Sequence, residues 1–153
     1  MLIVENHADT EIEIGKIGCI KFKKGFYAYA GSALSGLEQR IGRHLRAPGD
    51  NKKLHWHIDY FLACPTVEIK DVVLAETEER KECEIAAKMN LNRGLDCIEN
   101  FGCTDCSCKS HLFFSTSLTL LKEHVYNCFC ASGLDKVKEY RREEDKDKQS
   151  LKE

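Results

Sequence analysis

Hydrophobic and polar positions along this 153-residue chain change period several times, and each change marks an element. The first 30 residues follow a two-residue repeat. Leu2-Ile3-Val4 opens it, Ile12 and Ile14 alternate with polar neighbours, Gly18 to Phe22 continues it, and Gly25-Phe26-Tyr27-Ala28-Tyr29 closes it. Such alternation predicts strands, and it puts Tyr27 and Tyr29 on one face. Beyond Gly31 the spacing lengthens to four. Leu37, Ile41 and Leu45 form an apolar stripe that predicts a helix from about Gly36 to Arg46, ended by Pro48-Gly49-Asp50. Residues 54–62 fit strand and helix equally. Val67 to Leu74 predicts a strand, and Glu76 to Met89 an acidic helix that turns Cys83, Ala86, Ala87 and Met89 toward the core. A Gly- and Cys-rich loop, Phe101 to His111, precedes a strand in HLFFSTS and a helix opening near Ser117.

A chain of this length with 42% hydrophobic residues suits one domain with its own core. The expected division is a domain over 1–134 and a charged tail over 135–153, where seven cations meet seven anions in a frayed or solvated helix. The formal net charge of -2 excludes a wholly polybasic protein, yet it conceals polarity: residues 15–46 carry seven cations and only Glu38 as an anion. No run approaches the roughly 18 apolar residues of a spanning helix. The opening MLIVENHADTEIEIG turns acidic where a secretory signal would be basic and then apolar, so the expected location is cytoplasmic, with no membrane partner. Nine cysteines in a reducing compartment read as small apolar residues, metal ligands or reactive thiols.

Three constellations carry possible chemistry. In GFYAYAGSALSGLEQRIGRHLR, a strand bearing Tyr27 and Tyr29 leads into a helix on which Arg40, Arg43 and His44 share a sector beside the apolar stripe. Phosphodiester cleavage uses such parts: a phenol to activate water and a guanidinium to hold charge on five-coordinate phosphorus. Packing tyrosines and a solvated arginine face are the plainer reading of the same residues. His55-Trp56-His57-Ile58-Asp59, if a strand, aims both histidines and the aspartate one way, with Trp56, Ile58 and Tyr60 packing behind. Cys103, Cys106, Cys108 and His111 lie within nine residues, close enough to wrap a tetrahedral structural Zn²⁺. The competing reading has Asp105 and His111 closing a turn beside inert thiols.

Tyr29-Ala30-Gly31 with Leu37 and Arg40-Ile41 resembles the second motif of the GIY-YIG nuclease superfamily. The resemblance extends to a branch of small single-domain proteins described as a domain of unknown function (DUF123-like). Its recurring words look like those at Gly25 to Ala33, Arg40 to Leu45, His55 to Tyr60, Glu82 to Ala86 and Phe101 to Leu112. The resemblance implies an α+β fold, with a small, mostly antiparallel sheet flanked by helices. It implies Tyr29 as general base or water-orienting phenol with a lowered pKa, Arg40 as the phosphate-stabilising cation, and Glu82 as the ligand of Mg²⁺ or Mn²⁺. The superfamily's first motif, G-I-Y, has no counterpart in Met1-Leu2-Ile3-Val4, and Tyr27 is the ring that would replace it. His55 and His57 are expected to line the substrate cleft.

The expected function is metal-dependent hydrolysis of a nucleic-acid phosphodiester, DNA by preference, by an endonuclease-like domain. Tyr29, Arg40, Tyr27 and His44 are its candidate catalytic residues. Ser32, Arg43, Arg46, Lys52, Lys53, His55 and His57 are its candidate nucleic-acid contacts. The alternatives are a nucleic-acid-binding module that has lost catalysis and a zinc-stabilised domain that binds a protein partner.

Overall fold

Two-residue alternation becomes four strands at the start of the computed structural model, which describes residues 1–33, 36–46, 53–134 and 136–140. These are β1 (Leu2–Asn6), β2 (Thr10–Ile14), β3 (Gly18–Phe22) and β4 (Gly25–Tyr29). The helices α1 (Leu37–Leu45) and α2 (His57–Leu62) follow, then β5 (Val67–Leu74), α3 (Glu82–Asn90), β6 (Asp96–Cys97), β7 (Leu112–Ser115), α4 (Leu118–Ala131) and β8 (Lys138–Tyr140). The ambiguous 54–62 segment resolves as helix from His57 onward. The acidic helix begins at Glu82 rather than Glu76, and the stretch expected to be a helical tail supplies the strand β8. The strand arises from tertiary pairing with β5, which periodicity does not report.

The fold is α+β. Six strands form one sheet in the order β6-β7-β4-β1-β5-β8, every pair antiparallel, while β2 and β3 make a separate hairpin. The pleat sorts side chains onto two faces. Ile3, Ala28, Val73 and Phe113 point to one, where α3 and α4 cover them with Ile85, Ala86, Met89, Leu121, Val125 and Phe129. Leu2, Val4, Tyr27, Val72, Leu112 and Phe114 point to the other, under α1, α2 and the hairpin. Phe22, Tyr27, Phe61 and Phe101 build an aromatic cluster on that second face, the Phe22 and Phe61 rings 4.6 Å apart and those of Tyr27 and Phe61 5.1 Å apart. All four rings are almost wholly buried. Truncating one such ring costs about 3–5 kcal/mol, so this cluster holds α2 and the hairpin to the sheet.

Gly25 allows β4 to start tight against β7. Its φ is +150°, and a Cβ there would lie 2.5 Å from the Phe114 ring. Antiparallel register then decides where a site can form. Leu2 stands opposite both Tyr29 and Val72, and Tyr29 opposite Leu112. The end of β4, the beginning of β1, the end of β5 and the beginning of β7 therefore meet at one end of the sheet.

Candidate functional site

A cavity of about 500 Å³ opens at that end. Its floor is Met1, Leu2, Tyr29 and Val72. Its walls come from the loop after β4 (Gly31, Ser32), from α1 (Leu37, Arg40, Ile41, His44), from the entry to α2 (His55, Trp56, His57), from the entry to α3 (Arg80, Glu82), and from the loop before β7 (Thr104, Asp105). Tyr29, Arg40 and Glu82, drawn from three separate stretches of chain, line this one space.

Each candidate residue has a definite place. The Tyr29 ring stacks edge-on to Phe101 and His44. Burial, followed by the charge of Asp59, pushes its phenol well above the usual tyrosine range, and the opposing influence of Arg40 is smaller. This is the reverse of the lowered pKa the sequence led one to expect: the protein around Tyr29 keeps the phenol protonated. Tyr27 shares its face but lies deeper, donating its hydroxyl to the Lys23 carbonyl at 2.7 Å, and it does not line the cleft. Arg40 rests its guanidinium 4.3 Å from the Trp56 ring centre, and among the described residues it has no carboxylate partner. His44 lies buried between Tyr29 and Trp56.

Arg43 has other work. Nη1 and Nη2 donate to Oδ1 and Oδ2 of Asp59 at 2.8 and 2.9 Å, and Nη2 also donates to the Lys53 carbonyl. Asp59 is fully covered, and its Oδ2 also accepts the backbone N–H groups of His55 and Trp56. Burial alone would raise the Asp59 pKa, but the Arg43 fork and these two amides outweigh it and hold the carboxyl below the usual range. The shared strand face proposed for His55, His57 and Asp59 therefore does not exist: the helix starting at His57 sends Asp59 back toward α1. His57 is buried, its pKa lowered by burial, and its Nδ1 accepts the Gly102 N–H at 2.8 Å. His55 stays exposed at the mouth. Arg46 and Lys53 are exposed away from the cleft lining, and Lys52 lies outside the described residues. Nor is the cation-rich stretch one patch, since Lys21 and Lys23 line a different groove beside β6 and β7.

Glu82 begins α3 and accepts the Ser32 hydroxyl. Its neighbours Glu79 and Glu84 are engaged outside the cleft, pairing with Lys81, and Glu84 also with Lys88. Among the described residues, Glu82 and Asp105 are the carboxylates that line the cavity.

A second cluster lies beside the cleft. Cys83, Cys106, Cys108 and His111 bring their donor atoms within 4.8 Å of one another, a Cys3His set that can hold a metal ion. The ligand set differs from the sequence expectation by one residue. Cys103 stays beside Cys106 but turns its thiol to the Phe101 carbonyl at 3.3 Å, and Cys83 from the first turn of α3 stands in the donor set in its place. Burial, with the neighbouring thiols adding to it, pushes both Cys83 and Cys103 up to about 12. His111 Nδ1 lies 3.1 Å from the Ala30 carbonyl, which can only accept, so Nδ1 carries the proton and the Nε2 lone pair faces the sulfurs. All nine cysteines are free thiols.

A family model described as "Domain of unknown function DUF123" matches residues 1–134. The chain belongs to that family. No curated protein and no solved structure matches it. In this DUF123 chain, among the described residues, no helix is long and apolar enough to cross a membrane. The sequence does not mark every residue of the site: Arg80 and Thr104 carry no signal of their own. Trp56 and Asp105 were visible only as packing and turn residues. Cys83 sits over twenty positions before the other thiols and was assigned to the core; its signal was a thiol in the first turn of a helix, next to the one glutamate singled out.

Proposed function

We propose that the cleft hydrolyses a nucleic-acid phosphodiester, DNA by preference, as the likeness to the GIY-YIG superfamily implies. The observation that carries this reading is the convergence of Tyr29, Arg40 and Glu82 on one cavity. Arg40, with no competing carboxylate among the described residues, binds a phosphate oxygen and holds the charge that develops on phosphorus. Tyr29, kept protonated by burial, donates a hydrogen bond to phosphate. His44, against the Tyr29 ring, takes the proton from the attacking water. Ser32 fixes the rotamer of Glu82. Mg²⁺ or Mn²⁺, held by Glu82 and Asp105, supplies Lewis-acid stabilisation when bound. Zn²⁺ is the structural cation proposed for the thiolate cluster, since sulfur and imidazole donors favour it over Mg²⁺. In this reading the protein works in the cytoplasm on nucleic acid.

Incubation with nicked, branched and damaged DNA in Mg²⁺ or Mn²⁺ tests the proposal. Cleavage is expected, with loss of at least about a hundredfold in Arg40→Ala and Glu82→Ala at unchanged far-UV circular dichroism. Cleavage that survives either substitution overturns the assigned roles. One observation favours a second reading, a binding module without catalysis: Tyr27 is committed to Lys23 and Tyr29 is held protonated, so neither phenol is prepared as a base. Salt-sensitive DNA binding with no cleavage under either cation would select it.

A further inference from the structure

We propose that Cys83, Cys106, Cys108 and His111 bind one Zn²⁺ as a clasp between the first turn of α3 and the loop 101–111, and that its occupancy fixes where Glu82 and Asp105 stand in the cleft. The clasp itself rests on the four donors; only its consequence for catalysis rests on the hydrolase reading. Tetrahedral Zn²⁺, with bonds of about 2.3 Å to sulfur and about 2.0 Å to nitrogen, sets donors about 3.8 Å apart for two sulfurs and about 3.5 Å for sulfur and nitrogen. His111 Nε2 lies 3.5 Å from Cys106 Sγ and 3.9 Å from Cys83 Sγ. The imidazole is already turned correctly by the Ala30 carbonyl, the outer hydrogen bond that zinc-binding histidines use.

The loop needs such a clasp. From Cys103 to Ser110 it has no aliphatic or aromatic side chain to bury. At its base it is held by Asn100 N–H to the Lys109 carbonyl, His111 N–H to the Phe101 carbonyl and Gly102 N–H to His57. Apart from the approach of Cys83 to His111, Cys106 and Cys108, α3 is tied to this loop by a hydrogen bond from Asn90 to the Ser110 carbonyl at 3.5 Å, at the far end of the helix. Cys83 directly follows Glu82, and Cys106 directly follows Asp105, so one ion anchors the backbone beside both carboxylates of the cavity. On binding, each of the three thiols gives a proton to solvent as its sulfur–zinc bond forms, and His111 contributes a lone pair.

The experiment uses the full chain loaded with Zn²⁺ or Co²⁺, with metal counted by mass spectrometry, thiolate-to-cobalt absorption recorded, and hydrogen exchange followed before and after chelation. One metal per chain is expected, retained in Cys103→Ser and lost in Cys83→Ser. Chelation is expected to speed exchange in residues 101–111 and the first turn of α3 while β1 and β4 stay protected. That protection also shows that Cys83→Ser has folded. Absence of stoichiometric metal, or metal retained in Cys83→Ser and lost in Cys103→Ser, overturns the ligand set. Unchanged exchange of the loop on chelation overturns the clasp. DNA cleavage measured alongside separates the two readings: a loaded protein that does not cleave counts against the hydrolase, while metal content and exchange still decide the clasp.

Discussion

Replacing Arg43 by alanine should destabilise the domain through Asp59, and the size of the loss follows from the contacts around that carboxylate. In the intact protein Asp59 is fully covered and ionised, with Arg43 on both oxygens and the His55 and Trp56 amides on Oδ2. Alanine strips Oδ1 of its partner and leaves a buried charge supported by two amides alone. Breaking a buried pair in this way costs about 3–5 kcal/mol. The Arg43 side chain is 21% exposed, so water can enter part of the space it leaves, which places the expected loss near the lower bound, about 3 kcal/mol. For a domain of this size that is a fall of about 6–12 °C in Tm, measured by circular dichroism. The sign with pH is fixed. Asp59 is depressed below its ordinary value of 3.8 in the folded state, so its contribution is present above that pH and disappears as pH falls through the folded value. Wild type and Arg43→Ala should therefore converge in acid. Adding Asp59→Asn to the variant should recover part of the loss, because a neutral amide leaves no charge stranded. A loss below about 1 kcal/mol at pH 7, or one that does not shrink in acid, would refute the structural role assigned to this pair.

Three further outcomes are expected. Gly102→Ala should cost about 1–3 kcal/mol, since φ is +75° and its Cβ would lie 3.1 Å from His111 Cβ and 3.3 Å from Tyr29 Cε2; chemical denaturation reads it, and a neutral effect would mean that the loop backbone shifts freely. Ser117→Ala removes the oxygen that accepts the Leu120 N–H at the start of α4, for about 1 kcal/mol by urea titration, and an unchanged midpoint would discount the cap. His57 is depressed from 6.5 and accepts a hydrogen bond in its neutral form, so stability present above about pH 6.5 should fall as pH drops through its lower folded value. His57→Gln should flatten that part of the profile, and an unaltered profile would remove His57 as its source.

How far the sequence could be read depended on the range of the interaction. β5 and the stripe Leu37-Ile41-Leu45 were legible because local periodicity reflects which face is buried. Ser117 was legible because a cap acts over three residues. Asp59 was not, because its direction depends on an arginine from another helix. Arg43 was grouped with the phosphate-binding cations by its helix sector, and nothing in the sector reveals a buried carboxylate opposite. The short strands β6 and β8 have little pattern of their own and exist because β7 and β5 offer them partners. Of the cleft, the sequence marks Tyr29, Arg40 and Glu82; their shared space is a product of register, which pairs Leu2 with both Tyr29 and Val72.

The family match stops at residue 134, but the sheet does not. Lys138, Glu139 and Tyr140 lie along Leu74, Val73 and Val72, and Glu139 is gripped from α4 by Tyr126 and Lys122. A protein trimmed to the matched span would present the valine-rich rim of β5 as an open template for other molecules. Such a trimmed form should self-associate with rising concentration where the full chain does not, which sedimentation would reveal, and the neatest boundary by family would then be the wrong place to cut.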